Sequence, residues 1–383
     1  MGVVDITDSE LRGHRAAWRL EPRIPADVLE LLPGESVMLA HLLYCRGYHT
    51  PDEIRVVLAG ETITHDPFLL PDMERAVDRI ARAVETGERV AVYGDFDCDG
   101  ITATAVLVTT LQRLGLSPIA HIPTREDGHG LHPVALAELS DRGVTLVVTA
   151  DCGITSMVEV QVALGMGMDV VVTDHHEARL DGSLPQCPAV DPTRLDSLYP
   201  FRSLSGAGVA YKVAQALRLR LPGAPDPDDL LDLVALGTVA DVVPLRDENR
   251  FLVARGLERL RRTQRPGLLA LYEVAGIERS RIDPVSVGFY LAPRINAANR
   301  MATPRLAYDL VTAADEHIAA ELARQLSAYN GQRQTLVAET FDAVAAELGD
   351  QSNMAEAVRA GSRAPIVIVV GRWPAGISGL LAS

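Results

Sequence analysis

The feature that most limits what this chain can fold into is a set of short, unbroken apolar runs, RVAVYG, VTLVVTA and MDVVVT, each separated from the next by helical spacing. A strand with one wet face alternates apolar and polar residues, whereas a strand covered on both faces is apolar throughout. These runs, with SPIAHIP after the first, alternate with MERAVDRIARAVETGE, GITATAVLVTTLQRLG, HPVALAELSDRG and SMVEVQVALGMG. The pattern predicts an α/β fold, a parallel sheet with helices on both faces. The carboxyl ends of all its strands then share one edge, where such sheets hold ligands.

Three of the predicted strands run directly into acidic or histidine residues. Asp95, Asp97 and Asp99 follow the first, Asp151 follows VTLVVTA, and Asp174, His175 and His176 follow MDVVVT. A fourth acid, Asp241, lies among small and apolar residues in LGTVADVVPL, where a charge is costly unless paired. Carboxylates with one or two imidazoles suit Mn²⁺ or Mg²⁺, and five or six such groups exceed the needs of one ion. Two ions sharing a bridging carboxylate serve in-line attack of water on phosphorus.

Simpler readings compete. A single Asp after a strand is commonly a helix cap or turn residue. An EF-hand loop counted from Asp95 needs Glu at its twelfth position, and Val106 stands there. DCDGI nearly matches the DxDGT of haloacid-dehalogenase phosphatases, but Ile101 replaces the threonine.

Composition narrows the rest. The 383 residues are 48% hydrophobic, enough for two or three domains. A net charge of −15 argues against general electrostatic binding to nucleic acid or anionic membrane, though not against a local basic groove. Four scattered cysteines with no CxxC pair predict a reduced, intracellular protein. With no membrane-length apolar run and no apolar core in MGVVDITDSELRGHR, the expectation is a cytoplasmic protein with no membrane partner.

The expected organisation is a helical lead-in over 1–70, a catalytic domain over 71–302 and a helical connector over 303–362. Residues 363–383, with RAPIVIVVGRW, open a second α/β domain. The stretch 303–348 reads as one long helix or two. In SGAGVAYK, Gly206 and Gly208 at a helix start either offer amides to a phosphate or permit tight packing. Arg294, Asn296 and Arg300 in APRINAANRM read as a loop, with phosphate contact as the sharper alternative. Arg125 and His129 in PTREDGHGL join a strand to a helix near the acidic edge. The basic run RGLERLRR reads as an exposed helix face.

Together YGDFDCDGIT, TADCGIT and VTDHHE resemble the first motifs of the DHH phosphoesterase family, named for the triplet seen here as Asp174-His175-His176. LSGAGVAYK, LGTVADVVPL and LAPRINAANRM narrow the resemblance to the branch of single-strand-specific 5′-to-3′ DNA exonucleases, over essentially the whole chain. The resemblance implies two ions, Mn²⁺ or Mg²⁺. Asp97 and Asp99 would each hold one, Asp95 would ligate or support the first, and Asp151 would bridge. His175 and Asp241 would complete the ligands of the second ion. His176 would face the scissile phosphate, and Asp174 would orient the histidines. It further implies single-stranded DNA as substrate, 5′-mononucleotides as product, a place in DNA repair and recombination, and a single-strand-binding protein as a partner. The other readings it leaves are a relative acting on short RNA or cyclic dinucleotides, and an inactive scaffold. The chain departs from the family pattern at Asn299, where INAAGRM reads INAANRM, and at Trp373-Pro374, where a Trp-His pair is usual.

Overall fold

The computed structural model describes residues 23–349 apart from 33, 35, 61 and 62, together with 373 and 375–381. These residues fall into two compact units that divide between Ile63 and Thr64. The boundary expected at 70 moves because Pro67–Leu69 packs on a helix of the larger unit.

The small unit is helical: α1 (Ala26–Glu30), α2 (Val37–Cys45) and α3 (Pro51–Ala59), around Leu32, Ala40 and Ile54. Helix α3 is punctuated locally. Thr50 Oγ1 accepts from the Glu53 amide at 3.3 Å, and the Glu53 carboxylate accepts from the Thr50 amide at 2.9 Å. Gly60, with φ 66°, ends it.

The larger unit begins α4 (Met73–Thr86), β1 (Val90–Tyr93), α5 (Cys98–Arg113), β2 (Ile119–His121), α6 (Pro133–Asp141), β3 (Leu146–Thr149), α7 (Met157–Gly165), β4 (Asp169–Thr173) and β5 (Ala189–Val190). All five strands are parallel, in the order β2-β1-β3-β4-β5. The order reverses between β1 and β3, the crevice where open α/β sheets bind ligands. Val90, Val92, Leu146, Val148 and Val171 face one buried core, and Ala91, Tyr93, Val147, Val170 and Val172 face another. Both faces of the sheet are covered, which explains why no polar residue interrupts these runs.

A helical layer follows: α8 (Gly206–Arg220), α9 (Leu231–Ala240), α10 (Asp247–Leu260), α11 (Pro266–Ala275) and the short α12 (Pro284–Ser286). A π-helical turn over Val287–Leu291 then leads into α13 (Ala292–Met301), α14 (Arg305–Thr312), α15 (Glu316–Gly349) and α16 (Ala375–Leu381). Helices α8 and α9 pack on α5, and α10 packs on α9. The stretch 303–348 is therefore two helices, broken where Asp315 Oδ1 accepts from the Ile318 amide at 2.9 Å.

APRINAANRM is a helix rather than the loop read from its sequence. Pro293 is tolerated because it falls in the first turn, where its missing amide has no helical partner. RGLERLRR lies largely on α10, where Arg255 and Arg259 are exposed and pair with Glu258 and Asp229. The strand expected in RAPIVIVVGRW lies outside the described residues. Among those described, no helix is long and apolar enough to cross a membrane, and none of the four cysteines is in a disulfide.

Candidate metal centre

The centre is assembled at the carboxyl edge of β1, β3 and β4 from the loops that follow these strands, the start of α8 and the end of α9. Asp97 is the N-cap of α5 and accepts from the amides of Asp99 at 2.9 Å and Gly100 at 3.0 Å. This capping fixes the loop so that Asp95 and Asp99 are carried inward, both almost fully buried. Asp99 in turn accepts from the amides of Gly206 at 2.6 Å and Ala207 at 3.0 Å. The first turn of α8 is thus satisfied by a carboxylate, whose charge the helix dipole favours.

Asp151, directly after β3, has φ 65°. Asp tolerates this left-handed backbone better than most residues, and such outliers gather at functional sites. A Cβ at Gly206 would run into the Asp151 carboxylate, so only glycine lets α8 approach this closely. After β4, Asp174 accepts from the amides of Ile154 at 2.9 Å, His175 at 2.8 Å and His176 at 3.2 Å. Its Oδ1 also accepts from His176 Nδ1 at 2.7 Å. That bond directs the second ring nitrogen of His176 away from Asp174. Asp241, at the C-cap of α9, completes the ring of groups.

His175 Nε2 lies 3.0 Å from Asp151 Oδ1, 3.7 Å from Asp241 Oδ2 and 3.8 Å from Asp99 Oδ2. Asp95, Asp97 and Asp151 form one group of converging ligand atoms, and Asp99, His175 and Asp241 another, with all atoms of each within 4.8 Å of one another. Asp95 Oδ1, Asp151 Oδ1 and His175 Nε2 are buried and have no hydrogen-bond partner. Among the described residues, no lysine or arginine forms an ion pair with these carboxylates.

The electrostatics show the strain of this arrangement. Burial pushes Asp99 up to about 6, against the pull of His175, and burial with the Asp99 charge pushes Asp241 up to about 6. Burial and then the charges of Asp99, Asp97 and Asp95 drive Asp151 well above the carboxylate range. His175 moves upward because Asp99 and Asp241 outweigh its own burial. The protein therefore supplies too little positive charge to hold these acids ionised. Orphaned oxygen and imidazole ligands around one space fit hard divalent cations.

Arg300 lies at the same edge. Burial and the guanidinium groups of Arg125 and Arg333 lower its pKa from the usual value, with Asp97 opposing them. It donates to the Gly376 carbonyl in α16 at 2.7 Å. Asn296 accepts from the Cys98 amide at 2.8 Å and so holds the acidic loop itself. Arg294 is turned to the Tyr290 carbonyl at 2.6 Å and to Ser327 in α15 at 3.3 Å. The Gly206 amide is taken by Asp99 and the Gly208 amide by Ser205 Oγ at 3.1 Å, so the tight-packing reading is the one their geometry fits.

Sequence reasoning gave little weight to His129, whose Nδ1 lies 3.3 Å from Asp95 Oδ1 and whose ring is 4.5 Å from that of His176. Its signal was position alone, in the loop between β2 and α6. Asn299 gave only a departure from pattern.

The family model described as "DHH family, N-terminal domain" matches residues 89–238. The single-stranded-DNA-specific exonuclease RecJ of Bacillus subtilis is 39% identical over 349 residues, covering 90% of this chain and 42% of the relative. The Escherichia coli protein of the same name is 39% identical over 321 residues, covering 80% and 55%. Among solved structures, RecJ of Thermus thermophilus in complex with Mn²⁺ superposes with TM-score 0.75 at 31% identity, covering 93% of this chain and 49% of that one. An exonuclease RecJ bound to manganese gives TM-score 0.69 at 34% identity, covering 82% and 76%. The chain spans about half the length of the curated relatives it matches.

Proposed function

The chain belongs to the DHH family and, within it, to the RecJ group, and from that footing we propose that it is a divalent-metal-dependent phosphodiesterase that shortens single-stranded DNA from the 5′ end. The observation that carries this reading is the uncompensated cluster, with three buried ligand atoms lacking any partner at the edge where the sheet order reverses. Asp95, Asp97 and Asp151 would hold one ion and Asp99, His175 and Asp241 the other, with Asp151, whose Oδ1 is 3.0 Å from His175 Nε2, serving both, Mn²⁺ or Mg²⁺ in each case. When bound, the ions supply the positive charge that activates water and offsets the charge gathering on phosphorus.

The chain's own residues do the remainder. Asp174 fixes the His176 ring through Nδ1, and the half-exposed ring leaves Nε2 to deliver a proton to the departing 3′-oxygen. The bond between that oxygen and phosphorus breaks, a 5′-mononucleotide leaves, and the shortened strand carries a new 5′-phosphate. Arg300, which feels the charges of Arg125, Arg333 and Asp97, and Arg125 receive the phosphates of the strand. Asn296 acts by holding the acidic loop, and Arg294 by tying α13 to α15. Membership of the group also supports a cytoplasmic role in DNA repair and recombination, with a single-strand-binding protein as partner.

The test is digestion of a 3′-labelled single strand with Mn²⁺, with Asp151→Ala and a cyclic dinucleotide in parallel. Stepwise shortening from the 5′ end, abolished by the substitution, is the expected result. Cleavage of the cyclic dinucleotide alone would overturn the substrate, and an Asp151→Ala chain that still cuts would overturn the mechanism.

A further inference from the structure

Asn299 stands where the family pattern has glycine, yet it is 6% exposed and fully engaged. Its Nδ2 donates to the Phe96 carbonyl at 2.9 Å, on the peptide between Asp95 and Asp97. Its Oδ1 accepts from Arg125 twice, from Nε at 3.3 Å and from a terminal nitrogen at 3.2 Å. The Arg125 guanidinium also lies over the Phe96 ring, 4.8 Å from its centroid. An arginine on the β2–α6 loop is thereby fixed by two bonds and a ring face, an arrangement that removes most of its rotamer freedom.

The helix explains how one side chain reaches both partners. Asn296 and Asn299 are three residues apart on α13 and so share a face. Asn296 takes the Cys98 amide and Asn299 the Phe96 carbonyl, so α13 grips the acidic loop on either side of Asp97. A glycine at 299 would have neither the donor for Phe96 nor the acceptor for Arg125. Arg125 lies close enough to Arg300 to lower the latter's pKa, so the latch sets the spacing of two like charges that repel until an anion lies between them. Holding two guanidinium groups together before binding lowers the ordering cost when a phosphate arrives.

We propose that Asn299 is a positioning residue for substrate: it aims Arg125, stacked on Phe96, so that Arg125 and Arg300 meet a strand phosphate beside the metal carboxylates already in place. This rests on the phosphodiesterase reading and adds a residue that acts through Arg125 and not through the ions.

A double-mutant cycle on the chain with Mn²⁺ and a single-stranded oligodeoxynucleotide tests it, reading KM and kcat separately, with Mn²⁺ affinity followed by titration calorimetry. Asn299→Ala is expected to raise KM about tenfold, the scale of a hydrogen bond to a charged group, with a much smaller change in kcat. In an Arg125→Met background the same substitution is expected to add nothing further to KM. Mn²⁺ affinity should match that of the unsubstituted chain, because Asn296 and the Asp97 cap still hold the acidic loop. Should alanine unfold the chain, Asn299→Gly, the residue of the family pattern, takes its place. Losses that multiply across the cycle, or a fall in Mn²⁺ affinity, would show that Asn299 serves the acidic loop and overturn the inference. An unsubstituted chain that neither binds nor cuts the strand would instead overturn the functional reading, and this one with it.

Discussion

Two groups of buried charges lie on either side of α8, and they are satisfied to opposite degrees. Near its start, Asp99 and Asp151 belong to a cluster with three partnerless ligand atoms and no lysine or arginine paired to it among the described residues. Two turns on, Lys212 is fully buried and paired: Nζ donates to Glu248 at 2.7 Å and to the His65 carbonyl at 2.6 Å. Glu248, equally buried, also accepts from the Tyr199 hydroxyl and from the His65 amide at 3.3 Å. His65 closes the set through Asp247 at 2.6 Å. A buried charge that is paired with an opposite charge is a staple; a buried cluster of one sign with unpaired ligand atoms is waiting for something outside the chain.

This contrast can be broken from either side. The largest effect on stability should come from Lys212→Met, which leaves Glu248 buried without its cation. A loss of about 3–5 kcal/mol is expected in denaturant unfolding. A loss under about 1 kcal/mol would mean that the network is not a staple. Mn²⁺ binding by the folded fraction should survive this change.

Gly206→Ala comes next and acts on the other cluster. The added methyl must displace the Asp151 carboxylate or move α8, and Mn²⁺ affinity is expected to fall about 10- to 100-fold, the range seen when support for metal ligands is disturbed. Unchanged affinity would show that Asp151 is not held where the structure places it. The smallest effect sharpens the comparison most. In chelator, Asp151→Ala removes one of several like charges that are unfavourable when ionised, so the thermal midpoint should not fall. A marked drop would mean that Asp151 is satisfied in the metal-free chain, as Lys212 is.

The sequence showed the sheet plainly because burial on both faces leaves VAVY, LVVT and VVVT without charged residues. Strand β5 was invisible, since Ala189–Val190 is too short to carry a pattern. Helix α13 was hidden by its asparagines, arginines and proline, which favour loops locally until packing against α15 and the acidic loop overrides them. The acids were legible as a set because each follows a strand, and parallel strands share an edge. Which acids share an ion came only from the family resemblance and not from the residues themselves, because that depends on the left-handed turn at Asp151 and on the closeness of Gly206. Lys212 and Asn299 gave no chemical signal at all, since their partners lie 36 and 203 residues away in the chain.

The most direct measurement is calorimetric titration of the chain with Mn²⁺, beside Asp151→Ala and Lys212→Met. The account predicts two ions per chain, retained in folded Lys212→Met and lost or weakened together in Asp151→Ala, since Asp151, in one group and 3.0 Å from His175 of the other, would serve both ions. No binding, or two ions that persist without Asp151, would contradict the claim that the unsatisfied cluster is the metal site.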